Sequence, residues 1–316
     1  MSVAPQVSIV TPSFNQGEFI ERAAESVLSQ DYQAVEYLIL DGGSTDGTLD
    51  VLRRLGGRVR WVSEPDRGQA HAINKGWQQA KGEVLAWLNA DDLYLPGALS
   101  RVAAFFQTNP AVDIVYGDCD YIDLDDRVVQ PYPTRPYDYI ELVREAIDFI
   151  PQPAAFVRRR VLETTGLLDE TLHYVLDYDY WLRAGLRHTV AYLPARLAAF
   201  RLHPASKTVG SEARFGRELV ETYRRLFARA DLPPQVRTVE RQALANAHYM
   251  AAVRCFWGGD LALAREYGRQ AWGTVTGYRA RKLAALLGLT VLGRGGLAAA
   301  RVVRARRATH FSGRTG

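Results

Sequence analysis

The sequence predicts an α/β protein, a mainly parallel sheet flanked by helices and followed by an all-helical appendage. Three observations carry that expectation. Short apolar runs alternate with helical patterns over the first 120 residues, small polar clusters follow the apolar runs, and from Glu212 onward only helical periodicity remains.

The elements follow in order. Residues 7–10, 37–40, 59–62 and 84–88 are short strands, most of them apolar on both faces as central parallel strands are. Between them, residues 18–30, 45–55 and 69–80 have helical spacing, so the series is β-α-β-α-β-α-β. A further helix is expected at 95–109 and a strand at 113–121, before Pro131, Pro133 and Pro136 mark an irregular crossing. Helices at 212–230, 236–257 and 261–272 come next, broken by Pro233-Pro234 and Gly258-Gly259-Asp260. The last pair resembles one tetratricopeptide-type hairpin, and one unit does not make an array. Domain boundaries are therefore expected at 1–210, 211–278 and 279–316.

Composition narrows the function. With 47% hydrophobic and 23% charged residues in 316, the chain reads as globular, which excludes a disordered, collagen-like or polytopic membrane protein. Cys119 and Cys255 alone make neither a disulfide framework nor a thiolate zinc site, and they point to a reducing compartment. Of 39 basic residues, nine lie in residues 279–316 without any acid, leaving 30 basic against 35 acidic residues before them. An acidic body argues against a nucleic-acid partner, and the basic tail suits an anionic surface. The apolar stretch 283–293 is 11 residues, too short to span a bilayer. Residues 1–6 lead straight into a strand, so no signal peptide is expected.

Four polar clusters follow the strands, where open α/β sheets collect ligands. Thr11-Pro12-Ser13-Phe14-Asn15 ends the first strand, and Asp41-Gly42-Gly43-Ser44-Thr45-Asp46-Gly47 ends the second. Small residues let backbone N–H groups approach a ligand, and Asp41 can accept from a base ring; each cluster alone also reads as a loop with a helix cap. The third, residues 64–76, holds Arg67, His71, Asn74 and Lys75 at the mouth of a helix, with Arg67 available to a phosphate or base. In the fourth, Asn89-Ala90-Asp91-Asp92, two adjacent acids at the end of a buried strand make sense if a divalent cation neutralises them; the other reading is a helix-capping turn, since Asp can cap and Pro96 suits a helix start. Oxygen donors point to Mg or Mn.

Together these clusters resemble, in order and approximate spacing, the inverting family-two glycosyltransferases of the GT-A fold. The resemblance covers about residues 6–208 and does not reach the helical end. It implies that Thr11, Asp41 and Arg67 line the base and ribose, with Asn74, Asn89 and Asp92 also on the nucleotide-sugar side. It places Asp91 at the metal position of the Asp-x-Asp motif, whose usual first Asp is Asn89 here. Leu176-Asp177-Tyr178-Asp179-Tyr180-Trp181 resembles the family's acidic helix-opening motif, with Asp177 at the place of the catalytic base and Leu176 replacing a frequent Glu. Residues 201–208 resemble the loop whose His, here His203, reaches the metal. Gln152 and Asp179 are the acceptor-site candidates.

The resemblance thus implies a metal-dependent enzyme moving a sugar from a nucleotide-diphosphate sugar to a glycan or lipid-linked acceptor in polysaccharide synthesis. Its expected place is the cytoplasm, at the inner face of the membrane if the basic tail makes peripheral contact there. Two alternatives stay open: a nucleotidyltransferase on a similar sheet, and an inactive nucleotide-sugar-binding scaffold. A dehydrogenase is disfavoured, because no Gly-x-Gly-x-x-Gly follows a strand. For the tail, residues 283–303 either lie in a membrane interface or pack on the preceding helices, and Gly288, Gly293, Gly295 and Gly296 weaken any continuous helix.

Overall fold

The computed structural model describes residues 5–203 and 212–312, the last ten of these as backbone only. The chain divides into two compact units, Met1–Tyr139 with Asp148–Ser206, and Ile140–Ile147 with Lys207–Gly316.

Nine strands, counted among the described residues, build one mixed sheet in the first unit. They are β1 (Val7–Ser13), β2 (Val35–Asp41), β3 (Arg60–Ser63), β4 (Val84–Trp87), β5 (Leu93–Tyr94), β6 (Ile114–Ile122), β7 (Val128–Pro131), β8 (Ala155–Arg158) and β9 (Val190–Arg201). The order is β3-β2-β1-β4-β8-β6-β9-β5, with β7 beside β6. β1 lies parallel between β2 and β4 and is buried along its whole length, which is why its sequence shows no alternation. Beyond β4 the sheet turns antiparallel through β8, a part the sequence analysis did not anticipate. The reason is local: β9 is rich in Ala and carries Pro194, which sits where the register with β6 shifts past Gly117.

Helices α1 (Ile20–Leu28), α2 (Thr48–Leu55), α3 (Gln69–Gln79) and α4 (Ala98–Thr108) lie within the expected spans, while α5 (Tyr139–Glu145), α6 (Arg159–Thr165) and α7 (Leu176–Ala184) complete the series before residue 203. α1 buries Ile20, Ala23, Ala24 and Val27, the stripe that a helical repeat puts on one face. α3 sits down on β1 through Gly76, where any Cβ would run into the Val10 side chain. This close approach brings the start of α3, with Arg67 just before it, to the carboxyl ends of the parallel strands.

The second unit is helical: α8 (Glu212–Ala228), α9 (Pro234–Arg237), α10 (Glu240–Trp257), α11 (Leu261–Ala271), α12 (Gly277–Val291) and α13 (Gly293–Ser312). Residues 140–147 join it, as Tyr223 donates to the Val143 carbonyl at 2.7 Å and Asn246 to that of Arg144 at 2.7 Å. Of the two readings of the tail, the packed one describes the Leu-rich part: Leu283, Leu286 and Leu297 are buried in the helical core, with Leu287 and Leu289 against it. The glycines do not prevent helix formation; the chain breaks once, at Gly293 with φ +60°.

Candidate active site

The first two polar clusters hold each other. Asp41 is buried and accepts from Gly43 N (3.1 Å), Ser44 N (2.9 Å), Ser44 Oγ (2.5 Å) and Ser63 Oγ (2.6 Å), with Gly43 taking the turn at φ +84°. Ser44 Oγ accepts from Asn15 N at 2.7 Å, which ties the loop after β2 to the loop after β1. Thr11 is fully buried with its hydroxyl 3.0 Å from that of Tyr37. At the place expected to line the base and ribose, the Asp41 carboxylate and the Thr11 hydroxyl make these contacts within the protein, which shape the two loops.

Arg67 is 69% exposed at the mouth of α3 and pairs with Glu170, its Nη2 at 2.5 Å. Asn74, buried one turn into the helix, uses its whole amide on the same loop: it donates to Leu168 O at 2.9 Å and to Glu170 at 3.2 Å, and accepts from Leu168 N at 3.0 Å. Asn74 therefore fastens residues 168–170 beside Arg67. Nothing in the sequence flagged Glu170, since its partner Arg67 lies 103 residues away.

After β4 the turn separates its two acids. Asp92 is 1% exposed and accepts from Arg201 N at 3.0 Å and Asn89 Nδ2 at 3.1 Å. Burial, then the adjacent Asp91 charge, pushes Asp92 well above the usual carboxylate range, against the pull of those donors. Asp92 is thus a bracket for β9. Asp91 is half-buried, and its Oδ2 lies 2.9 Å from His203 Nε2. Arg201 fixes this geometry, since its Nε donates to Asp91 O at 2.8 Å and its guanidinium pairs with Asp126. Residues 204–208 of the loop singled out in the sequence lie outside the described residues.

Asn89 belongs to an amide relay: Gln69 Nε2 donates to its Oδ1 at 2.6 Å, and its Nδ2 also donates to Gln152 Oε1 at 3.0 Å. Gln152 Nε2 in turn donates to Trp87 O at 2.7 Å. Both ends of Gln152 are occupied by this relay.

α7 is held over the end of β4 by Trp181, whose ring stacks on Trp87 at 5.9 Å and 17°. Asp177 stands in the first turn of this helix. Asp177 Oδ1 accepts from Tyr178 N at 2.8 Å, but burial outweighs that bond and pushes the carboxyl up to about 6. Asp148 is raised well above its ordinary range by burial and then by the charge of Asp177, with one backbone donor, Ile150 N, at 2.9 Å. Asp179, the other acid of the motif, is buried and paired with Arg183 at 2.7 Å, which places it in the packing of α7. Asp148 escaped sequence reasoning because a lone acid in an irregular segment carries no pattern.

A model of the family described as glycosyl transferase family 2 matches residues 8–166, half of the chain. The chain belongs to that family. An uncharacterized glycosyltransferase of Nostoc sp. is 28% identical over 218 residues, 64% of this chain and 66% of that relative's length. The fold is similar to that of S. aureus TarS in complex with UDP-GlcNAc, at a TM-score of 0.66 and 17% identity over 92% of this chain and 88% of that one. It is also similar to the mannosyltransferase PcManGT from Pyrobaculum calidifontis in complex with GDP-Man and Mn2+, at 0.61 and 20% over 95% and 87%. The sheet is the GT-A sheet expected from the motifs.

The family-two chain offers a divalent ion two donors, Asp91 Oδ2 and His203 Nε2, already side by side. Among the described residues no group of three or more His, Cys, Asp or Glu is gathered. A carboxylate and an imidazole fit Mg or Mn, which keep waters and take further oxygens from a bound diphosphate.

Proposed function

We propose that this family-two chain transfers a sugar from a nucleoside-diphosphate sugar to an acceptor hydroxyl with inversion. The observation that carries the reading is Asp177, a half-buried carboxylate raised to about 6 at the first turn of a helix stacked over the end of β4. At neutral pH such a group is ionised yet more basic than an ordinary Asp, as a general base should be. It takes the proton of the acceptor hydroxyl while the oxygen attacks the anomeric carbon on the face opposite the leaving diphosphate. One displacement through an oxocarbenium-like transition state then inverts that centre.

The other side chains divide the remaining work. Arg67 reaches the nucleotide; Thr11, Asp41 and Asn74 hold the loops around it; and Asn89, Asp92 and Gln152 keep the turn between donor and base in place. Asp179 steadies the helix that carries Asp177. A divalent ion held by Asp91 and His203 would supply positive charge to the departing diphosphate. The nucleotide-sugar complexes of the two structural neighbours, one with Mn2+, support a donor of this class. The acceptor we propose is a glycan or a lipid-linked glycan in the synthesis of a surface polysaccharide, on the cytoplasmic side of the membrane.

Incubating the chain with a panel of nucleotide sugars and Mn or Mg tests this. Release of nucleoside diphosphate that depends on the ion and is lost in Asp177→Asn supports the reading. Pyrophosphate release would identify a nucleotidyltransferase instead, and donor binding without turnover would identify a scaffold.

A further inference from the structure

The second unit ends on a surface without a carboxylate of its own. From Tyr267 to the end of the chain there is no Asp or Glu. α12 turns Leu283, Leu286 and Thr290 inward, which leaves the opposite stripe in solvent. The solvent-facing side carries Tyr278 (64% exposed), Arg281 and Lys282 near the start of α12 and, on one flank of its end, Val291 (77%), with Leu292 (68%) in the turn that follows. Lys282 Nζ lies 4.4 Å from the Tyr278 ring centroid, and α13 adds exposed Arg294 and Arg301. Among the described residues no carboxylate pairs with Arg281, Lys282 or Arg294.

Two properties of this stripe select its partner. Unpaired cations with no acid among them attract any polyanion. Two neighbouring aliphatic side chains held in water, and a tyrosine beside a lysine, are what an interfacial surface uses: cations at headgroup phosphates, the ring at headgroup depth, the aliphatics in the acyl boundary. A nucleic acid would use the cations and leave Val291 and Leu292 exposed. Among the described residues no helix is long and apolar enough to cross a membrane.

We infer that the stripe of α12 with the start of α13 docks on an anionic lipid bilayer. This holds whatever sugar the first unit transfers, because vesicle binding and donor turnover are separate readouts.

The test is sedimentation of the full chain with phosphatidylcholine vesicles, with and without phosphatidylglycerol. Binding is expected only with the anionic lipid and should weaken as salt rises. Each cation removed should lower partitioning about fivefold, so R281S/K282S/R294S together should lower it about 100-fold. V291S/L292S removes apolar area from solvent-exposed positions, where folding, checked by circular dichroism, should be kept; it should lower partitioning about tenfold and leave the salt dependence unchanged. Equal binding to neutral vesicles, no binding at all, or parent-like partitioning of V291S/L292S would overturn the inference. Preferential capture of duplex DNA, insensitive to V291S/L292S, would assign the face to nucleic acid and overturn it too.

Discussion

Asp91 and Asp92 are neighbours in sequence, whereas Asp148 and Asp177 come together from separate segments, and the fold around them treats the two pairs differently. In the first pair the work is divided: Asp92 is sealed in and bonded to Arg201 N and Asn89, while Asp91 keeps an accessible oxygen beside His203. In the second pair both acids are pushed upward and each accepts few hydrogen bonds. Burial raises Asp92 as well; what differs is that its donors come from β9 and the Asn89 turn, so it ties two segments together, whereas Asp148 and Asp177 accept only from backbone next to them in sequence. The difference predicts which acid each kind of measurement will detect.

The largest effect is expected at Asp177. Asp177→Asn keeps the shape of the helix start and removes the proton acceptor, so kcat should fall by about 10²-fold or more while nucleoside-diphosphate affinity stays. In the parent, kcat/KM should rise with pH up to about 6 and then level. Stability should move the other way. The folded carboxyl titrates at about 6 against about 3.9 in the unfolded chain, so the folded state holds the proton more tightly, and stability present below the lower value is lost as pH rises through the upper one. Asp177→Asn should therefore unfold later than the parent at about pH 8, by about 1–3 kcal/mol in denaturant titrations. A larger kinetic loss from Asp179→Asn would transfer the base to that acid and break the comparison.

Asp91→Ala comes next. Removing the accessible oxygen should lower Mn-dependent nucleoside-diphosphate affinity by about tenfold or more in calorimetry, with little change in the unfolding midpoint. Asp92→Ala should do the reverse: it leaves Arg201 N and the Asn89 amide without their acceptor, at about 1–3 kcal/mol of stability. Should Asp92→Ala leave stability intact and abolish Mn dependence, the division of labour in this pair is the wrong way round.

How far the sequence shows these roles depends on how local they are. The alternating strands and helices of residues 7–109 were legible because each buried run stands between clear breaks, and the Asn89-Ala90-Asp91-Asp92 turn because it ends the strongest run. β8 and β9 were not, since Ala and Pro194 hide a strand whose stability comes from its partners. Residue type alone also left open which polar side chains are engaged within the protein. Asp41, Asn74 and Gln152 look like ligand contacts in one dimension; only the positions of Ser44, Leu168 and Trp87 show their amides and carboxylate already committed. Asp148 and Glu170 had no signal, because their partners lie 29 and 103 residues away.

Asn89→Asp sharpens the contrast at a smaller scale. It writes the family's usual first acid back into the motif, and sequence reasoning alone would expect tighter metal binding. The structure gives a different expectation, because the Asn89 Nδ2 donates to Asp92 at 3.1 Å and to Gln152 at 3.0 Å. A carboxylate there faces two acceptors, one of them ionisable, and Gln152 cannot turn without losing Trp87 O. Stability should fall by about 1–3 kcal/mol in urea titrations, with Asp92→Asn in the same chain restoring part of it. Full stability in the single variant would show that the relay is not what holds this turn.

The smallest structural effect is expected at Arg67, and it separates a ligand contact from a fold contact most cleanly. Its pair with Glu170 stands in solvent, the Arg side chain 69% exposed, and exposed pairs contribute about 1 kcal/mol or less. Arg67→Ala should leave the unfolding midpoint nearly unmoved. Asn74→Ala, only seven residues on, should cost about 1–3 kcal/mol because Leu168 N and O both lose a buried partner. If Arg67 exchanges Glu170 for the nucleotide, Arg67→Ala should weaken nucleoside-diphosphate binding severalfold and Glu170→Gln should strengthen it, since the competing carboxylate is gone. Unchanged affinity in both variants would place Arg67 outside the donor site and leave its pair with Glu170 as a surface contact.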